Sequence, residues 1–256
     1  VNFQKAVKTR KSSVKVRIQN HVSNSKYMSI YEYYLSNFAE RYSKTCYSSL
    51  IYYLVHELKA NNPGFIFNQN DLDQLRKNTL KSTSDAMNYL FNNTDKIERL
   101  YPHHIQKIAE LINEPSGYSY GYRKTAVAIN RNVNFSPAEA REIPFRMMSL
   151  IDNYYNVWNQ NDIFEREAIF HLTLVRIQPF EDGNKRTVQI LTGFNLLQNN
   201  YAPILFTEED KDKYMNFINN NDVKSFANFL REKSIVEMQY VEQLYDKFTS
   251  EKVKAK

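Results

Sequence analysis

Residues 177–187 read Ile-Gln-Pro-Phe-Glu-Asp-Gly-Asn-Lys-Arg-Thr, placing two acids, a Gly-Asn pair, two bases and a hydroxyl in the seam between two apolar runs. Gly183 and Asn184 tolerate the positive φ angles that turn several backbone N–H groups to one side. A helix starting near Lys185 adds its unpaired amides and the positive end of its dipole to the same small volume. Lys185 and Arg186 carry full charges suited to phosphate oxygens, and Asp182 is a hard oxygen ligand where a Mg²⁺ ion bridging two phosphates could bind. Such parts suit a nucleotide polyphosphate. The loop is not a Walker loop, because the G-x-x-x-x-G-K-S/T spacing is missing. A plainer arrangement fits the same residues, with Asp182 capping the helix and Lys185 and Arg186 in water. Residue types alone leave both open.

The elements that must hold this loop follow from apolar periodicity, which is helical through most of the chain with few glycines or prolines to interrupt it. Helices are expected near 27–41, 43–59, 70–93, 102–113, 137–157, 162–177, 184–199, 207–219 and 222–248. "NNPGF" at 61–65, "EPSG" at 114–117 and Tyr201-Ala202-Pro203 are the breaks. Pro179 stops the helix that leads into the loop, and Phe180 would anchor the loop in the core. Residues 118–135, "YSYGYRKTAVAINRNVNF", alternate aromatic and β-branched positions and predict a short β-hairpin, with Arg123 and Lys124 near its tip or first strand. The fold class is therefore mainly α with one short β-hairpin flap. A basic N-terminal arm over 1–20 precedes a single helical domain over 21–256, whose core motif region spans 118–204.

Composition limits the partners. The chain has 256 residues, 42% of them hydrophobic, enough for a packed core. Its net charge of +6 arises in the first twenty residues, where Lys5, Lys8, Arg10, Lys11, Lys15 and Arg17 stand without an acid; the remainder balances at 28 against 28. Nucleic acid is therefore not an indicated partner. No apolar run approaches membrane-spanning length and no secretory signal is visible, so a cytoplasmic setting is expected. One cysteine, Cys46, excludes a disulfide framework and the Cys-rich zinc patterns. The chain begins at Val1, which leaves its native start open.

From 166 to 204, "REAIFHLTLVRIQPFEDGNKRTVQILTGFNLLQNNYAPI" resembles the Fic (Fido) family, whose signature reads H-P-F-x-(D/E)-G-N-G-R-x-x-R between two helices. The resemblance reaches upstream to the expected hairpin, which looks like that family's target-docking flap, here Tyr122, Arg123, Lys124, Thr125 and Ala126. Family members usually transfer AMP from ATP to a hydroxyl side chain of a target protein. The resemblance implies that Asp182 holds Mg²⁺, that Gly183, Asn184 and Lys185 form the anion hole, and that Arg186 grips a phosphate.

Three positions depart from the signature. Gln178 stands where the family has its catalytic His, and a carboxamide has no site to take a proton near neutral pH. Loss of such a base lowers rates by about 10²–10⁴-fold. His171 lies two helical turns earlier, about 10 Å along the axis and too far to substitute, so a buried structural role is expected for it. His103 and His104 open a separate helix as capping or surface residues, and His21 and His56 lack a partner motif. Gln189 replaces the signature's second arginine. Many relatives carry an inhibitory helix, Ser/Thr-x-x-x-Glu-Gly/Asn, whose Glu pairs with that arginine; its best match here, "SSLIYY" at 48–53, opens on Ser48 and puts Tyr52 in the Glu position. A second alignment, "TDKIER" at 94–99, keeps Glu98. Lys185 replaces a glycine as in the Doc branch, which transfers phosphate instead of AMP. The leading expectation is a Fic-fold protein with a degenerate site, retaining nucleotide or phosphate binding and acting as a protein-binding or regulatory module. The rival is an active ATP- and Mg²⁺-dependent adenylyltransferase or Doc-like phosphotransferase. Either acts on a target protein, and either leaves room for a homodimer.

Overall fold

The computed structural model describes residues 30–64, 66, 68–91, 93, 96–117, 120–127 and 133–254, with some helical side chains inside these ranges left aside. The expected basic arm lies outside them, as does the 94–95 part of the second inhibitory alignment. The long helices are α1 (Ile30–Asn61), α2 (Gln69–Phe91), α3 (Pro102–Asn113), α4 (Ile143–Asn156), α5 (Ile163–Ile177), α6 (Asn184–Gln198), α7 (Lys211–Asn220) and α8 (Val223–Lys254). Short 3₁₀ turns at Glu114–Ser116, Ala140–Glu142, Trp158–Gln160 and Glu208–Asp210 mark chain reversals.

Most expected boundaries fall within a few residues of those observed, with two differences. The helices expected at 27–41 and 43–59 are one helix, α1. Nothing at 42 breaks it: Tyr42 is 2% exposed, and its ring stacks on that of Phe38 at 6.5 Å. The hairpin expected over 118–135 shows no strand among its described residues, since 120–127 and 133–135 are bends and coil; residues 118–119 and 128–132 lie outside the described residues. The physical reason is visible at Arg123. Its backbone N–H goes to the Pro179 carbonyl at 2.9 Å, so this chain is stitched to the loop after α5 rather than to a second strand.

Helices α5 and α6 form the centre. Helix α5 is packed by α4, α7 and α8, and α6 by α2 and α3, while α1 lies across α2 and reaches α8. Nine of the fifteen α5 residues and ten of the fifteen α6 residues are buried, which is why the two runs read as apolar on more than one face. Buried polar groups in this centre are largely paired across helices. The Glu167 carboxylate on α5 accepts from Tyr154 on α4 and from Asn195 Nδ2 on α6 at 3.0 Å, and burial raises its pKa to about 7. Arg41 joins α1 to α8 through a two-pronged ion pair with the buried Glu237, at 2.5 and 3.0 Å, and its guanidinium lies 4.1 Å over the Tyr240 ring. The central pair thus presents its connecting loop in a fixed place.

Candidate functional site

Helix α5 ends because Pro179 cannot continue it, and Gln178 makes the exit in a left-handed conformation, φ 51° and ψ 60°. Glycine is the usual residue there, and a side chain in this region is strained by roughly 1 kcal/mol or more. Gln178 is held there by three bonds besides that of its backbone N–H to the Leu174 carbonyl at 3.3 Å. Its Nε2 donates to the Val175 carbonyl at 2.6 Å, its Oε1 accepts from Asn184 Nδ2 at 2.9 Å, and its carbonyl accepts from Arg123 Nε at 2.6 Å. Phe180, 2% exposed, then plugs the loop into the core.

Asn184 closes the turn. Its Oδ1 accepts from the Phe180 amide at 3.0 Å and its Nδ2 also donates to the Phe180 carbonyl at 2.9 Å, so the side chain is consumed inside the loop. It shapes the turn from within. Gly183 is required: at φ 75°, an added Cβ would stand 2.7 Å from Asn113 Oδ1 and 3.1 Å from Ile112 Cγ2. Asn113, at the end of α3 and 6% exposed, donates from Nδ2 to the Asp182 carbonyl at 2.9 Å and braces the loop from below.

The other side of the loop is open. Gly183 is the N-cap of α6 and no side chain caps the helix, so the first-turn amides have no intrahelical acceptor. The arrangement with Asp182 as cap is not the one observed. Its carboxylate, 44% exposed, pairs with Arg186 at 2.8 Å instead. Lys185 is an exposed side chain whose ammonium end reaches Met215 Sδ at 3.8 Å. Desolvation around that end lowers its pKa, Lys211 and Arg186 lower it further by repulsion, and Asp182 opposes them. Uncapped amides with Lys185 and Arg186 on the same helical turn suit anionic oxygens. Asp182 is a carboxylate of the same loop, and a single carboxylate plus phosphate oxygens is an ordinary Mg²⁺ set, so the residues fit that ion. Among the described residues, no group of three or more His, Cys, Asp or Glu could hold a metal without help from a ligand.

Helix α1 closes one flank through a residue the sequence reading missed. The Tyr42 hydroxyl lies 2.8 Å from Gln189 Oε1 and 3.3 Å from the Arg186 carbonyl. Ser48 is exposed, and the Tyr52 side chain lies outside the described residues. His171 is fully buried, with Nδ1 2.9 Å from Thr192 Oγ1 and Nε2 2.7 Å from the Tyr214 hydroxyl, and burial lowers its pKa to about 3. It is neutral and occupied at both nitrogens. His104 Nδ1 accepts from the Tyr101 amide at the start of α3, and the His103 ring stacks on Tyr101. Of the segment expected to dock a target, Lys124, Thr125 and Ala126 are exposed and Tyr122 leans on Phe180 with ring centroids 5.8 Å apart. Arg123 turns inward and is 3% exposed. Nothing in the local pattern announced Asn113 or Tyr42, whose partners lie 69 and 147 residues away.

With this geometry in hand, the chain can be set beside known proteins. Residues 86–196 match the Fic/DOC family. A protein adenylyltransferase Fic of Aedes aegypti is 26% identical over 118 residues, 43% of this chain and 22% of that protein. Its counterpart in Drosophila virilis is 35% identical over 66 residues, 25% of this chain and 14% of that one. The matched stretches thus span under a quarter of these relatives. A crystal structure of a Fic-domain-containing signaling protein from Bacteroides thetaiotaomicron superposes with a TM-score of 0.70 at 20% identity, covering 94% of this chain and 96% of that chain, a likeness of fold.

Proposed function

From the premise that this chain carries a Fic/DOC-family domain, we propose that it binds a nucleotide polyphosphate at the α5–α6 loop, is impaired in transferring AMP to a protein hydroxyl, and serves as a protein-binding or regulatory module. The observation that carries this reading is the state of Gln178. Both ends of its carboxamide are bonded within the protein, to Val175 on α5 and to Asn184, and a carboxamide has no basic site to take a hydroxyl proton near neutral pH. His171 does not substitute as the base, because it is neutral and bonded on both sides.

The binding half of the proposal rests on the uncapped α6 amides with Lys185 and Arg186 beside them. A polyphosphate would displace the Asp182 carboxylate from Arg186, freeing the guanidinium for phosphate and the carboxylate for Mg²⁺. That ion, when bound, neutralises phosphate charge. The exposed run Lys124–Ala126 beside Tyr122 is the face we assign to a target protein, and a cytoplasmic setting suits the ATP this site would need. Among the described residues, no helix is long and apolar enough to cross a membrane.

Calorimetric titration of ATP with and without Mg²⁺ tests the binding half, which fails if neither condition gives heat. The Gln178→His change tests the other half. The revertant should gain automodification or target labelling by about 10²-fold or more, read as added mass after incubation with ATP and Mg²⁺. Wild-type labelling at the revertant's rate would sink the impaired-site reading. The rival Doc-like orientation draws on Lys185, whose ammonium is turned toward α7. An added phosphate in place of AMP would select it.

A further inference from the structure

Arg123 is a buried guanidinium that spends its donors on main-chain carbonyls. Nε donates to Gln178 O at 2.6 Å, Nη1 to Thr125 O at 2.7 Å and Nη2 to Ala138 O at 2.5 Å, while its own backbone N–H donates to Pro179 O at 2.9 Å. Among the described residues no carboxylate pairs with it, and burial alone pulls its pKa down. A buried charge without a counter-ion is expensive, and a neutral side chain could fill the same space. What the guanidinium provides is reach in three directions from one plane, which no other side chain offers. The three directions are three separate pieces of chain: the strained exit from α5, the exposed segment 124–126, and the approach to α4. The Ala138 amide also donates to the Ile177 carbonyl at 3.3 Å, so the third piece is itself tied to the end of α5.

We propose that Arg123 is a positioning residue that makes the exposed 124–126 segment and the Gln178 end of the anion loop one mechanical unit, so that occupancy of either is felt at the other. The coupling has a defined path. Movement of Thr125 pulls on the guanidinium, which holds the Gln178 carbonyl; Gln178 Oε1 is bonded to Asn184, the first residue of α6, whose amides face the ligand. Energy passes because each link is a short hydrogen bond to a residue with few alternatives, and by linkage the effect runs both ways. This proposal rests on the reading of the α6 end as a phosphate site only for its ligand arm.

Hydrogen–deuterium exchange on the full chain tests it, with Arg123→Lys, Arg123→Met and, as a surface control, Arg146→Ala. Without ligand, both Arg123 variants should speed exchange of the hydrogen-bonded amides in 120–127 and 180–186, those of position 123 and Phe180, by about tenfold or more, the loss of a charge-assisted hydrogen bond, while α2 and α8 stay at wild-type rates. Arg123→Lys keeps the charge and most of the volume, so it reports on the lost fork even where Arg123→Met unfolds. Unchanged exchange in 180–186 in the Lys variant overturns the proposal. So does faster exchange spread evenly over α2 and α8, which would mark Arg123 as a general stabiliser. In the second arm, ATP with Mg²⁺ should protect 183–186 and also 120–127 in the wild type, and only 183–186 in Arg123→Lys. Protection reaching 120–127 in the variant overturns the coupling. If ATP protects nothing in the wild type, the nucleotide reading fails and the unliganded arm still decides the role of Arg123.

Discussion

The two ends of the 178–186 loop are built on opposite rules. At the Gln178 end, the side-chain amide, the backbone carbonyl and both Phe180 backbone polar groups are bonded within the protein. At the α6 end, the first-turn amides have no cap, and Asp182 and Arg186 have each other where a ligand would offer each a stronger partner. On the proposed function, one loop is thus closed where a proton would have to move and open where negative charge would have to rest. Binding needs only the second property, and catalysis needs both. The contrast teaches that a carboxamide at 178 need not loosen the loop, because Gln178 completes the hydrogen-bond frame that holds Asn184 at the start of α6.

Damage to the shared frame should therefore have the largest effect. Gly183→Ala forces a side chain into positive φ and into Asn113, and we expect about 2–4 kcal/mol of destabilisation in urea titration together with loss of ATP binding. In an Asn113→Ala background the same change should cost at least 1 kcal/mol less, since the clashing Oδ1 is gone. Strict additivity would show that Asn113 does not set the tolerance at 183. Next comes Arg186→Glu, which leaves the frame intact and reverses charge only at the open end. Its expected signature is ATP binding weakened by about 100-fold or more with the unfolding midpoint nearly unchanged. Equal loss of stability would mean the two ends are not separable.

The sequence carried the open end better than the closed one, for a physical reason. Helix starts and Gly-Asn turns are local, so the turn at Gly183-Asn184 and the helix it opens could be expected from spacing, and the helical periods of α2 to α8 could be read, although the start of α4 and the end of α8 each lie six residues from the expected bound. The closed end depends on long-range partners. Arg123 looks like an exposed flap base because its neighbours Lys124 to Ala126 are exposed, and only the fold brings it under Gln178. Asn113 follows the buried Ile112 and precedes a Pro-containing turn, a context that suggests a helix end and nothing more. The hairpin was expected from alternation, but the described part of that segment bonds to the α5–α6 loop and to no strand. Tyr42 was placed at an expected helix break, which hid its contact with Gln189.

A third effect lies beneath the closed end, where two buried groups titrate in opposite senses. His171 has a folded pKa of about 3 against an ordinary 6.5, so the folded state binds fewer protons and stability falls as pH drops from 6.5 toward 3. Glu167 has a folded pKa of about 7 against 4.5, so the folded state binds more protons and stability rises as pH drops from 7 toward 4.5. Between pH 6.5 and 4.5 the two slopes oppose each other. Unfolding midpoints should stay nearly level there and fall below it. Glu167→Gln removes the rising slope, and its midpoints should already decline from pH 6.5, by at most about 1.4 kcal/mol per pH unit. Parallel profiles for the two proteins across that window would rule out Glu167 as the offsetting group.

The smallest effect should come from Tyr42→Phe, which removes a hydroxyl by which α1 touches the open end. The lost bond to Gln189 leaves Oε1 without that donor, so the change should destabilise by about 1 kcal/mol in urea titration. Adding Gln189→Leu removes the stranded acceptor as well, and the double variant should recover part of the loss, because taking away both partners avoids the penalty of leaving one buried and unmatched. ATP affinity bears on the comparison more directly. The Tyr42 hydroxyl meets Arg186 at its backbone carbonyl, while the guanidinium is bonded to Asp182, so binding should shift by no more than about twofold. A tenfold gain in affinity would mean that α1 holds the open end shut through this hydroxyl. The division between a sealed end and a free end would then give way to one in which both ends are restrained.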